Sequence, residues 1–326
     1  MSLNKIKRFV FSDFRRQFNF LKLALSYFLK NTKSFGYPAK LMIEPANTCN
    51  LNCAACPVGN GEIKKTKGKL TFGDFKKIIN EAGPYLYQLT LWNWGEPFLN
   101  PEIDRMVKHA VRQGIFVITS TNGHFLEGDW PKKIVLSGLD EIIIALDGLS
   151  QETLEKYRRG ADFEKVVSGI KRLVEEKRKK ASLKPVIQLQ FIVMKHNQSE
   201  LGKLKSFGKE IGVNKIVVKS FGANLDINRF KDFEPDKKYS RYKNRMSVKS
   251  FCRQLWFSLN INYDGTAVPC CYDPHEKHIL GNVFQEGVKK VWQGEKMLEF
   301  RRKLINREKI DICRQCAYNS KISRKI

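Results

Sequence analysis

Acidic residues are scarce in this chain of 326: 33 Asp and Glu stand against 59 Lys and Arg, a formal net charge of +26 with the five histidines neutral. Such an excess suits either a polyanionic partner or a merely lysine-rich surface. Long apolar runs are missing too. Near the N-terminus the longest is Leu23 to Leu29, against roughly 20 residues needed to cross a bilayer. No small-residue cleavage site follows it, so neither a membrane span nor a secretory signal is expected. The default compartment is then a reducing cytosol, where cysteines serve metal or redox chemistry rather than disulfides. Fixed-period repeats and low-complexity linkers are also absent, and no cysteine lies between residues 57 and 251. What is present is core material: 42% apolar residues, with 22 Phe, ten Tyr and five Trp, enough for one large domain and a smaller one.

The eight cysteines fall into two groups. The first is Cys49, Cys53 and Cys56 in a C-x3-C-x2-C spacing. Three thiolates so placed can hold three corners of a [4Fe–4S] cube and leave the fourth iron without a protein ligand. A zinc site would want a fourth nearby ligand, and none is close in sequence. Strand-like runs near 40–44, 87–92, 115–119, 141–146, 186–193 and 215–219 alternate with helical patterns near 71–81, 101–113, 131–137, 151–179 and 199–211. This alternation argues for β/α units around a parallel sheet.

Several short motifs end these strands in order. Leu41 to Glu44 precedes the cysteine loop, Trp94-Gly95-Glu96-Pro97 ends the second strand, Thr121-Asn122-Gly123 the third, and Ala145-Leu146-Asp147-Gly148 the fourth. Tyr157-Arg158-Arg159-Gly160 follows, then Phe191 to Met194 with Asn197. Over residues 40 to 220 this ordered set resembles the radical S-adenosylmethionine (SAM) superfamily. The resemblance implies a partial (β/α)6 barrel and a [4Fe–4S] cluster on Cys49, Cys53 and Cys56. SAM would chelate the open iron and be cleaved reductively to a 5′-deoxyadenosyl radical. It further implies that Glu96 binds the SAM ammonium and Arg159 its carboxylate, with Arg158 the adjacent alternative. Asn122 and Asp147 would make ribose or backbone contacts, or simply build turns. The Met194 backbone would lie along the adenine. Ala55, Trp94 and Ala145 depart from common family residues, which touches single SAM contacts and not the cluster.

The second group is Cys252, Cys270, Cys271, Cys313 and Cys316. Twelve residues and Gly265 follow Cys252, then four residues and Cys270, and Cys313-x2-Cys316 closes the set. An Asp264-Gly265 turn within Leu259 to Val268 reads as a hairpin, and a helix is expected over Val288 to Leu304. This pattern resembles the SPASM/twitch extension of the superfamily. Cys252, Cys270, Cys313 and Cys316 suffice for one auxiliary [4Fe–4S] cluster. Cys271 is the alternative to Cys270, and zinc the competing metal on spacing alone. A fully ligated cluster implies electron transfer. His275 and His278 read as a solvated loop, and Lys171 to Lys180 as the exposed end of a helix.

Residues 1–40 carry nine Lys/Arg against Asp13 alone. Phe14, Phe18, Leu21, Leu25 and Phe28 form an apolar stripe at helical spacing. It either lies in an anionic membrane interface or packs on the barrel; nucleic acid is the less favoured partner because a stacking platform is lacking. The domains expected are a basic arm (1–38), a core barrel (39–225), a charged linker (226–249) and an auxiliary-cluster domain (250–320). The function expected is hydrogen-atom abstraction from a sugar or cyclitol, a lipid-linked molecule or a peptide. Flavodoxin or ferredoxin would donate electrons, in the cytoplasm or peripherally on the inner face of the membrane. The competing class is a non-catalytic iron–sulfur or zinc protein bound to membrane or RNA. No general base is assignable; Tyr157, Arg158 and Glu44 are candidates without a substrate to place them against.

Overall fold

A computed structural model describes residues 13–223, 228–241, 252–313, 316 and 323–325. The start of the basic arm, most of the charged linker and part of the C-terminal segment therefore lie outside the described residues. The chain divides into two compact units that interleave in sequence: Met1–Thr48, Lys65–Ile118 and Lys249–Arg314 form one, and Cys49–Lys64, Thr119–Val248 and Gln315–Ile326 the other.

In the first unit the strands run in the order β2 (Gln88–Leu91), β1 (Lys40–Ile43), β7 (Ser258–Ile261), β8 (Thr266–Val268) and β9 (Gly281–Asn282). Strand β1 is parallel to both β2 and β7, whereas β7, β8 and β9 are antiparallel. The expected hairpin is β7–β8, and Gly265 supplies its turn at φ +84°, a conformation that costs glycine little. What the sequence does not announce is that this hairpin continues the parallel sheet, with Met42 opposite Asn260. Helices α2 (Phe72–Ala82) and α3 (Ile103–Arg112) follow β1 and β2. Thr71 caps α2 by accepting the Asp74 N–H, and Phe75, Ile78, Ile79 and Ala82 form its buried face. Short helices α8 (Gln254–Phe257), α9 (Val283–Glu286), α10 (Val288–Trp292) and α11 (Glu295–Ile305) complete this unit's C-terminal part. The single helix expected over 288–304 is split at Gln293 and Gly294, because glycine is a poor helix interior residue.

Strand β3 (Phe116–Thr121) carries the chain into the second unit. There β4 (Glu141–Ala145), β5 (Val186–Val193) and β6 (Lys215–Ser220) are parallel neighbours, with β10 (Ser323–Lys325) antiparallel on β6. Every residue of β4 is buried, as expected for a strand covered on both faces. Helices α4 (Trp130–Leu136), α5 (Gln151–Tyr157), α6 (Phe163–Lys179) and α7 (Leu204–Glu210) alternate with the strands. The helix expected over 151–179 is two: the chain leaves the helix at Arg158, turns through Gly160 at φ +82° and re-enters where Asp162 accepts the Lys165 N–H. Neither row of strands closes into a ring, so the α/β, unclosed parallel arrangement is as expected.

Helix α1 (Phe14–Phe28) belongs to the first unit, and its apolar stripe does not pack on the barrel. Phe14, Phe18, Leu21, Leu25 and Phe28 are exposed, while Arg16, Asn19, Leu23 and Ser26 are buried. Hydrogen bonding anchors the face that turns in. Arg16 donates to the carbonyls of Gly83, Gly114 and Gln113, and Asn19 exchanges bonds with Tyr37 and donates toward Tyr85. Those carbonyls, buried without a donor, would each cost free energy.

Candidate active site

The cysteine loop begins the second unit. Its backbone is laced to the end of α5: Asn52 N–H donates to the Arg159 carbonyl and Ala54 N–H to that of Tyr157, both at 3.0 Å. Leu51 is its buried anchor. Gly59 crosses so close to Cys53 that a Cβ there would lie 2.6 Å from the Cys53 nitrogen. Burial pushes the Cys53 thiol up to about 12; Arg158 pulls it down, and Cys56, Cys49 and Asp147 push it further up. The buried Cys53 thiol, in the field of the other two thiols, lacks the positive charge to ionise readily. A cationic iron–sulfur core bonded to all three supplies it, and this is the sense in which the donor set fits a cluster.

Asn122 reaches this loop from the end of β3. Its Nδ2 donates to Asn50 Oδ1 at 2.8 Å and lies 3.7 Å from Cys49 Sγ. His124, passed over in the sequence, holds Asn122 in place. The His124 Nε2 accepts the Asp162 N–H at 2.8 Å, so the ring proton sits on Nδ1, 3.1 Å from Asn122 Oδ1. Burial keeps the ring's pKa below its usual value, which preserves the neutral tautomer this arrangement requires.

Asp147 is fully buried at the end of β4. It accepts the Ile192 N–H at 2.6 Å and the Arg158 Nε at 2.7 Å. Burial opposes the charge on both members of this pair, yet Asp147 and Cys53 hold Arg158 above its ordinary value. Arg158 is therefore the guanidinium turned toward the loop, whereas the Arg159 side chain is exposed. Asn197 ties the same corner together, donating to the Asp147 and Ile192 carbonyls and accepting the Met194 N–H. Met194 is buried among Ala54, Tyr157, Phe221 and Ala223, an apolar wall beside the cysteine loop.

The first unit holds Glu96 and a second acid the motif did not single out, Glu44. Glu44 follows β1, is 4% exposed, and accepts the Trp94 N–H at 3.2 Å together with that of Gly95. Burial raises its pKa to about 7 against these bonds and the charge of Lys65. Gly95 passes against the Ala46 carbonyl, and a Cβ would lie 2.8 Å from the Thr48 oxygen, so no side chain fits. Glu96 is buried; its N–H donates to Thr48 O at 2.8 Å and its carboxylate accepts the Phe98 N–H at 3.2 Å. The Trp94 indole N–H is buried without a hydrogen-bond partner among the described residues.

Among the described residues no three Cys, His, Asp or Glu side chains are gathered closely enough to hold a metal ion, and the auxiliary cysteines of this unit act on one another through their electrostatics. Burial and then the charge of Cys271 hold the Cys270 thiol well above its ordinary value, with Cys313 and Cys252 adding to it. Cys270 is thus the buried thiol of the group, and Cys271, Cys313 and Cys252 each act on it. Asp273 closes the connecting loop by accepting the N–H groups of Lys277 and His278. The His278 ring is engaged by Asp311 at 2.7 Å. Cys316 is half-buried.

The radical SAM superfamily model matches residues 43–200, and that of the SPASM iron–sulfur cluster-binding domain matches residues 252–317. The chain belongs to the radical SAM superfamily. As a radical SAM enzyme with a SPASM domain, it uses a [4Fe–4S] cluster with SAM and auxiliary iron–sulfur binding. It is similar to a probable GTP 3′,8-cyclase of Saccharolobus islandicus, 28% identical over 229 residues that cover 68% of this chain and 70% of the relative. Its fold is that of BtrN in complex with AdoMet and 2-DOIA (TM-score 0.54, 18% identity, 85% of this chain and 92% of BtrN). Streptococcus suis SuiB bound to S-adenosylmethionine shares it as well (TM-score 0.63, 15% identity, 86% and 72%).

Proposed function

We propose that this radical SAM enzyme abstracts a hydrogen atom from an organic substrate and uses one auxiliary cluster to take up or relay an electron. When bound, the cluster on Cys49, Cys53 and Cys56 supplies the electron that cleaves SAM to methionine and a 5′-deoxyadenosyl radical. The observation that carries this reading is the cysteine loop itself, which offers three thiols in C-x3-C-x2-C spacing, two of them acting on Cys53, and no fourth cysteine in its own stretch of sequence. Glu96 is assigned to the SAM ammonium, a charge-assisted contact, and Asn122 and Asp147 to its ribose side. The carboxylate role given to Arg159 by resemblance passes in our reading to Arg158, whose charge reaches Cys53; Arg159 contributes its carbonyl to the loop. The Met194 backbone is assigned to the adenine. Cys252, Cys270, Cys313 and Cys316 are assigned to the auxiliary cluster, with flavodoxin or ferredoxin as electron donor. The substrate class is a sugar or cyclitol, a lipid-linked molecule or a peptide.

Anaerobically reconstituted protein is expected to hold about eight iron atoms, four per cluster. With a reductant it should release 5′-deoxyadenosine from SAM, and replacement of Cys49, Cys53 and Cys56 by Ala should abolish that release. Fully loaded wild-type protein that releases none would overturn the reading. Deuterated candidate substrates that pass label into deoxyadenosine would then identify the substrate.

A further inference from the structure

Helix α1 departs from the usual surface helix by carrying a second apolar stripe that faces out. An amphipathic helix on a globular protein normally turns its apolar stripe inward. Here Phe14, Phe18, Leu21, Leu25 and Phe28 are 48–77% exposed. At 3.6 residues per turn these five positions share an arc of roughly 80°, continued at the C-terminal end by Leu29, 63% exposed. The opposite arc is centred on Leu23, fully buried, flanked by Arg16, Asn19 and Ser26, buried and hydrogen-bonded to backbone carbonyls or N–H groups. Between the two arcs Phe20 and Tyr27 pack on Phe257, with ring centroids 5.2 and 6.1 Å away. Residues just after the helix are pinned as well: Trp256 Nε1 donates to Asn31 O and Arg301 Nη1 to Thr32 O. The helix is thus fixed by a mixed inner face, Leu23, Phe20 and Tyr27 packing beside the hydrogen-bonded polar groups, and a second, apolar stripe is presented outward.

Charge selects what covers that side. Arg15 and Lys22 border the stripe and Lys30 and Lys33 follow it, while Asp13, which caps the helix, is the sole acid of the first forty residues. Lys22 lies with its ammonium 4.5 Å from the Phe18 ring centroid, its stem along the apolar face and its charge at the margin. A second copy of a chain carrying +26 would meet this margin with like charge. We propose that α1 docks the enzyme on an anionic lipid bilayer, lying in the plane of the interface with the stripe at the headgroup–acyl boundary and the basic margin against lipid phosphates. A helix of 15 residues laid flat spans about 22 Å. No helix among the described residues is long and apolar enough to cross the membrane, so the contact is peripheral.

Flotation of the full-length protein with phosphatidylcholine vesicles containing about one-third phosphatidylglycerol tests this. The wild type should float with them and be left behind by phosphatidylcholine alone. The double variant Leu21→Glu/Leu25→Glu should partition on the order of tenfold more weakly or worse while still cleaving SAM, which shows it is folded. Lys22→Glu/Lys30→Glu should lose most of the preference for anionic vesicles. Three results would each overturn the proposal: wild type that does not float, a stripe variant that floats as well as wild type, or equal binding to neutral vesicles. A wild-type dimer that the stripe variant converts to monomer would assign the face to a second copy instead.

Discussion

Glu44 shows how much one side chain can do without touching the chemistry. Its carboxylate holds the N–H groups of Trp94 and Gly95, the two residues before Glu96, so it sets the turn on which Glu96 is carried. It is a positioning residue, and an expensive one. A carboxyl whose pKa is about 7 in the folded chain and 4.5 as a reference binds more protons folded than unfolded between those values, so stability falls as pH rises through that window. The loss is roughly 3 kcal/mol, complete a little above pH 7. Glu44→Gln keeps an acceptor for the Trp94 N–H and removes the titration. Its melting temperature should vary less than that of wild type between pH 4.5 and 7.5 and exceed it at pH 8; parallel profiles would show that Glu44 is not the titrating group. Nothing in Ile43-Glu44-Pro45 signals this role; the sequence offers Glu44 only as a candidate base at the end of a strand. Its burial comes from β7, which arrives beside β1 from far along the chain. His124 was hidden for a related reason: its role depends on Asp162, which only the turn at Gly160 brings near. The three cysteines of the loop were legible because their chemistry depends on local spacing alone.

At the scale of elements, the six core strands were readable almost to the residue, because each is a short run enriched in apolar and β-branched residues bounded by turn signals. Helix breaks were less so. Gly160 and Gly294 mark them in sequence, but a lone glycine also sits inside helices, as Gly169 does in α6. Helix α1 exposes a deeper limit. Apolar periodicity gave its existence and its stripe, yet the side that packs is the mixed one around Leu23, anchored by carbonyls at Gly83, Gln113 and Gly114 that no pattern within the helix reveals. Two substitutions separate these faces. Arg16→Ala removes the donor from three carbonyls and should destabilise the first unit by about 3 kcal/mol. Tryptic cleavage at Arg15 and Lys22 should then quicken before global unfolding. Phe18→Ser, on the exposed face, should leave both the melting temperature and the cleavage rate unchanged within about 0.5 kcal/mol. Equal protection of the two variants would mean that α1 is held by something other than the polar groups of its inner face.

Across the whole molecule, the motifs were legible in order but the division into units was not, because each unit is assembled from separated stretches of chain. The two clusters are expected to be separable. Cys270→Ala should lower reconstituted iron from about eight atoms to about four, whereas Cys271→Ala should leave it unchanged; the reverse outcome would make Cys271 the ligand. The pairing of β1 with β7 carries a different kind of consequence. Met42 lies against Asn260, 218 residues later, and α1 rests on Trp256 and is tied down by Arg301 through Thr32. On the ribosome, at about 5–20 residues per second, the first strand emerges and waits on the order of ten seconds or more for its second neighbour. Helix α1, apolar on its outer side, waits with it for the seat that binds its inner side. Helix α1 and strand β1 are thus made long before the residues that complete their packing, and through that interval a chaperone or a nearby membrane surface has first access to them.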